Sequence, residues 1–167
     1  VLARLGHIEG TRGYARSVAL DLLDQHEFME STGQFRFTPP THALAAFHQA
    51  LRELEAEGGA EARGRRYAAN QRTLLEGMIT LGFRPYLDEE RQGPIITSFR
   101  YPENPRFVFD DFYRRVNEEG FVIYPGKVGT ADCFRIGSIG RIFPSDVRSL
   151  LDAVARVLAE MGMPVRE

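Results

Sequence analysis

Two short stretches carry residues whose types and spacing suit the binding of anions. The first is FTPPTH, residues 37–42, in which two prolines stand between Thr38 and Thr41 just ahead of an apolar, periodic segment. A helix N-terminus leaves about four backbone N–H groups without intrahelical partners and carries partial positive charge. The hydroxyls of Thr38 and Thr41 beside those donors would suit a phosphate, on a backbone that Pro39 and Pro40 stiffen. Threonine also caps helices with no ligand at all, and the spacing leaves both readings open. The second stretch is CFRIGSIG, residues 133–140, where Arg135 interrupts an otherwise apolar strand. A guanidinium buried there needs an anionic partner, and its planar fork of donors matches a carboxylate at two points. Strand alternation puts Phe134 and Ile136 on one face and Arg135 on the other, which equally admits an arginine pointing into solvent.

The other ionisable groups say less. His7, His26, His42 and His48 have no neighbours at metal-ligand spacing and read as structural or solvated. Asp110 and Asp111 fit the start of a helix, where the dipole favours acids. Asp21 and Asp24 lie on a short helix as start-of-helix acids or contacts. Lys127 falls in a YPGK turn, most simply exposed, and Cys133 reads as a packing residue.

The elements that must position these residues follow from periodicity and punctuation. The chain opens in a strand-like way, and residues 20–31 read as a short helix stopped near Gly33. A helix from about Thr41 carries Leu44, Phe47, Leu51 and Leu54 on one stripe, and Gly58-Gly59 ends it. A long polar helix follows over roughly residues 61–81, with Tyr67, Leu74, Met78 and Leu81 on its buried side and Gly82 closing it. From Phe83 the pattern turns β-rich: FRPYL and PIITSFRY as strands, residues 109–120 as a helix, FVIY as a strand before a PGK turn, and CFRIGSI as a further strand. Pro144 suits the first turn of a final helix with Val147, Leu150, Leu151, Val154, Leu158 and Met161 in period. The order from Phe83 is β-β-α-β-β-α, an α+β lobe with helices against a small sheet.

Composition narrows the function classes. The 167 residues are 43% hydrophobic and 11% aromatic, enough for a core. A net charge of −2 gives no global attraction to nucleic acid or anionic membranes. Twenty arginines stand against one lysine, Lys127. A single cysteine excludes an intramolecular disulfide and a cysteine-rich zinc site. No apolar run approaches the roughly 20 residues of a membrane span, and the expected setting is the cytoplasm.

GQFRFTPPTH, RYAANQRTLLEGMITLGF, PIITSFRYP, GFVIYPGK and CFRIGSIG together resemble the C-terminal half of the 2-aminoethylphosphonate–pyruvate transaminases. These are class V aminotransferases dependent on pyridoxal 5′-phosphate (PLP). FTPPTH and FRIGSIG are similar to segments of the alanine–glyoxylate and serine–pyruvate aminotransferases too, while GFVIYPGK beside both is more specific. The resemblance implies a fold type I enzyme, α/β with an α+β C-terminal lobe. Residues 1–81 would be the C-terminal part of the large cofactor domain with its connecting helices, and residues 82–167 the small C-terminal domain. It further implies a homodimer with a shared site. There Thr38, and with it Thr41, would meet the cofactor phosphate of the other subunit, and Arg135 would hold the carboxylate of alanine or pyruvate.

The chain departs from that pattern in one respect. Such enzymes form a Schiff base to PLP through a lysine, and Lys127 matches the YPGK motif instead. The cofactor-stacking aromatic and the aspartate for the pyridine nitrogen are absent as well. The expectation is that an N-terminal portion lies outside this chain, that the chain alone does not transaminate, and that its full-length parent does. A fragment of a related class V enzyme and a non-catalytic phosphate-binding or dimerising module are the competing readings.

Overall fold

Four antiparallel strands in the order β1-β2-β4-β3 form the sheet on which the second half of the chain is built: β1 Arg84–Pro85, β2 Ile96–Arg100, β3 Tyr124–Val128 and β4 Ala131–Gly137. The computed structural model describes residues 2–128 and 131–163, with backbone only at Lys127 and Val128. The helices are α1 Leu5–Glu9, α2 Leu22–Thr32, α3 Thr41–Ala56, α4 Gly59–Thr80, α5 Phe109–Glu118 and α6 Pro144–Glu160. The chain divides into two compact units, Val1–Glu53 and Leu54–Glu167. α4, which the sequence reading groups with the first part of the chain, packs on α6 and on β1 and β2 within the second unit.

The second unit follows the expected β-β-α-β-β-α order. Its core is aromatic. Phe134 of β4 is fully buried, with ring centroids 5.4 Å from Phe83, 5.6 Å from Phe112, 5.8 Å from Phe109 and 5.9 Å from Phe99. Such edge-on, tilted and stacked ring pairs each add about 0.5–1.5 kcal/mol beyond the area they bury. α5 contributes Phe112 and Val116, one turn apart on its inner face, and α6 contributes Val147, Leu150, Val154, Val157 and Leu158. Pro144 opens α6, where its missing N–H costs nothing, and the Asp146 carboxylate accepts the Phe143 N–H at 2.8 Å. Gly82 ends α4 at φ 92°, a left-handed turn open to glycine at low cost.

Two segments differ from the sequence reading. The opening residues form the short helix α1 instead of a strand. A strand must hand its N–H and C=O groups to a neighbour, and the described residues of the first unit contain none. Local bonds such as His7 N–H to the Arg4 carbonyl (3.0 Å) serve instead. The strand expected at FVIY lies further along, at Tyr124–Val128, so Pro125, Gly126 and Lys127 are strand residues and not a turn. β3 is an edge strand, and there a proline's absent donor costs no ladder bond. Its register pairs Tyr124 with Arg135, Gly126 with Cys133 and Val128 with Ala131.

In the first unit α2 ends as expected, with Gly33 at φ 67°. Asp21 caps its start by accepting the Asp24 N–H at 3.1 Å. Leu23 is the one fully buried apolar side chain among the described residues of this unit. Leu44, Phe47 and Leu51, the α3 stripe, are 46%, 62% and 46% exposed. The amphipathic pattern is present, and these three side chains stand exposed.

Close packing of α4 on α6 depends on Gly77. A β-carbon there would stand 2.2 Å and 2.7 Å from the two Leu151 methyl carbons. Replacing Gly77 by Ala should destabilise the fold by about 1–3 kcal/mol, the usual cost of overpacking, despite alanine's better helix propensity. Urea unfolding of the two proteins measures the difference, and equal or higher stability in the variant would contradict this account of the interface.

Candidate functional site

β4 is hydrogen-bonded on both sides, by β2 and by β3, and its alternation therefore fixes the side on which each residue stands. Phe134 and Ile136 are buried on the helix-covered face. Arg135 is exposed on the other face, in one row with Ser98 of β2 and Tyr124 of β3. Arg135 makes no ion pair or hydrogen bond among the described residues, so its donors remain available. Ile96 and Arg100 share this open face with it. Cys133 stands two residues before Arg135, opposite Arg100 on one side and Gly126 on the other. Burial raises its thiol pKa while Arg100 opposes that rise, which keeps the group protonated and fits a packing role.

The segment that follows β4 is held by a clamp that the sequence reading missed. The Glu57 carboxylate lies just ahead of α4, where it accepts the Arg66 Nε–H at 2.6 Å and the Arg63 Nε–H at 2.8 Å. Arg66 donates onward from Nη1 to the carbonyls of Gly140 (2.6 Å) and Ile142 (3.1 Å), and its guanidinium lies 5.4 Å from the Phe143 ring centroid. Asn70, one turn further along α4, donates to the Ile142 carbonyl at 2.9 Å. Residues 140–142 are thereby tied to α4 by three hydrogen bonds. The available signal was an acid beside Gly58-Gly59 with arginines one and two turns into the next helix.

The first unit carries the other candidate. α3 begins at Thr41, with the Thr41 N–H bonded to the Pro39 carbonyl at 2.9 Å and the Leu44 N–H to that of Pro40 at 3.0 Å. The N–H groups of His42 and Ala43 have no acceptor among the described residues, and neither do the hydroxyls of Thr38 and Thr41. The threonines therefore do not cap the helix, and their hydroxyls stand exposed beside two free backbone donors. Arg36 fastens the approach by donating to the Val18 carbonyl at 2.9 Å, by pairing with Asp24 and by lying 5.1 Å from the Phe37 ring centroid. Thr38 and Thr41 belong to the first unit and Arg135 to the second. Among the described residues no group of three His, Cys, Asp or Glu side chains is placed to hold a metal, and no helix is long and apolar enough to cross a membrane.

Comparison with known proteins gives these residues a context. The chain is 52% identical over 159 residues to a 2-aminoethylphosphonate–pyruvate transaminase of Vibrio vulnificus, covering 95% of this chain and 43% of that protein. A transaminase of the same name from Aeromonas hydrophila is 56% identical over 156 residues, covering 93% and 41%. The chain is a homologue of these transaminases over part of their length. It spans less than half of the relatives it matches, and no family model matches it. Among solved structures, ureidoglycine–glyoxylate aminotransferase from Bacillus subtilis superposes with a TM-score of 0.70 at 20% identity, over 86% of this chain and 38% of that one. Alanine–glyoxylate aminotransferase from Nostoc sp. gives 0.70 at 24%, over 80% and 35%. The fold is that of the C-terminal portion of the fold type I aminotransferases.

The clamp predicts an acid response. Hydrogen bonds from Arg66 and then Arg63 hold the Glu57 pKa down to about 2, from an ordinary 4.5. A depressed carboxylate pKa stabilises the fold above the unfolded value and loses that stabilisation as pH falls through the folded value. Melting temperatures of the protein and of Glu57→Gln should differ at neutral pH and converge as pH drops from about 4.5 to about 2. A difference independent of pH across that window would show that the carboxylate charge does not hold the clamp.

Proposed function

We propose that the chain is the C-terminal part of a PLP-dependent aminotransferase. The parent reaction would take 2-aminoethylphosphonate and pyruvate to phosphonoacetaldehyde and L-alanine. The observation that carries the reading is the identity of about half of all positions, over nearly the whole chain, to transaminases of that name. The geometry of the candidate residues supports it. The free N–H groups of His42 and Ala43 beside the hydroxyls of Thr38 and Thr41 form a donor set of the kind that receives a phosphate, and these residues would hold that of PLP. Bound PLP would supply the carbonyl that takes up and gives back the amino group. Arg135 would bind and orient the keto-acid carboxylate through its two-point fork. The tethering lysine would come from the rest of the parent, because Lys127 sits on β3, in the YPGK motif. The chain alone would then be inactive. The exposed α3 stripe fits contact with the rest of the parent or a second subunit.

The test is the activity of the full-length parent with 2-aminoethylphosphonate and pyruvate, set against alanine and glyoxylate. Turnover of the second pair alone would replace this reading by a related class V activity. Within the active parent, Arg135→Ala should raise KM for pyruvate by about 30-fold, equivalent to roughly 2 kcal/mol for a charge-assisted contact. KM for 2-aminoethylphosphonate should change far less. A pyruvate KM unaffected by the substitution would remove the carboxylate role. Thr38→Ala should weaken PLP retention on dialysis, visible as loss of the cofactor's absorbance band.

A further inference from the structure

Arg135 does not stand free above its sheet. A β-carbon built on Gly126 would lie 2.5 Å from the Arg135 Nε, 3.1 Å from Nη2 and 3.2 Å from Cζ. Gly126 is not the residue opposite Arg135, which is Tyr124; it pairs with Cys133. The arginine therefore leans along the diagonal between strands, a direction open to long side chains, and rests its guanidinium on the bare backbone of β3. Gly126 has no positive φ, so the backbone there is one that any residue adopts. What the position requires is empty space, not conformational freedom.

We propose that Gly126 is a positioning residue: its missing side chain provides the seat on which the Arg135 guanidinium lies, and so fixes the direction in which that arginine presents its donors to a keto-acid carboxylate. The inference rests on the carboxylate role given to Arg135 above. An exposed arginine without a partner samples many rotamers, and a two-point contact requires both donors to arrive in one orientation. The seat restricts that freedom before the substrate binds. Any side chain at position 126 takes the space of Nε and lifts the guanidinium. Because Arg135 is the flexible partner, the arginine moves and the strands keep their register.

The experiment uses the full-length parent with Gly126→Ala, Arg135→Ala and the double variant. Gly126→Ala should raise KM for pyruvate by about tenfold, with KM for 2-aminoethylphosphonate and the melting temperature little changed. In the Arg135→Ala background the same substitution should add nothing, since it acts through the arginine. A rise for Arg135→Ala with none for Gly126→Ala, or equal effects of Gly126→Ala in both backgrounds, overturns the positioning role and leaves the carboxylate reading standing. No rise for Arg135→Ala overturns that reading and this one together. A measurement on the unsubstituted protein is independent of any variant's folding. By 15N relaxation the Arg135 Nε–H should be more ordered than that of the exposed Arg84, and equal mobility overturns the proposal.

Discussion

The double pairing of β4 is the constraint from which the second unit takes its form. A strand bonded to neighbours on both edges cannot slip by one residue without turning every side chain to the opposite face. Phe134 meets Phe83, Phe99, Phe109 and Phe112 on the helix side, so a slip would carry a phenyl ring into water and a guanidinium into the aromatic core. The packing energy of that ring cluster thereby determines where Arg135 stands. Core and candidate site are consecutive residues of one strand, and what stabilises the first orients the second.

The Glu57 clamp extends the same logic to the segment after the strand. Residues 138–143 contain Gly140 and no regular structure of their own, and such a loop has much conformational entropy to lose. Arg66 and Asn70 take its carbonyls as acceptors, and Glu57 neutralises the guanidinium that does so. A lone arginine bonded to carbonyls in a partly covered place would retain an uncompensated charge. The acid from the preceding turn removes that cost. This explains why Arg66, paired with an acid 9 residues before it, reaches a carbonyl 74 positions further along the chain.

What was legible in the sequence, and what was not, divides along physical lines. Long periodic segments were readable because burial itself imposes their pattern: α6 with its valines and leucines, and β4 with its alternation. That alternation also set Arg135 on the face opposite Phe134 and Ile136, but it left open whether the arginine stood exposed there, which the structure shows it does. β3 was displaced because its proline and glycine read as a turn, and only the sheet order reveals that the strand lies at an edge where a proline does no harm. The opening helix is five residues long and too short to have a period. The clamp joins residues far apart in sequence, and no local pattern encodes such a contact. The residues of FTPPTH were found, but their role as caps was left open by spacing and decided by where the hydrogen bonds go.

The two candidate sites share an energetic character that explains how the chain can carry them. Arg135, and the donors about Thr38 and Thr41, are surface groups with no hydrogen-bond partner among the described residues. Left in water, such groups keep their hydration and cost the fold almost nothing, whereas the same groups buried without partners would cost several kcal/mol each. The chain therefore needs no internal acid to compensate Arg135 and no capping side chain at α3. An internal acid would stabilise the fold by little, since exposed ion pairs contribute about 0–1 kcal/mol, and it would occupy the donors that an incoming carboxylate needs. Elsewhere the chain pairs its arginines readily: Arg63 and Arg66 with Glu57, Arg114 and Arg115 with Asp111, Arg156 with Glu119. Against that habit, an arginine held on a rigid strand over a bare glycine, with no acid beside it among the described residues, is arranged for an anion from outside the lobe.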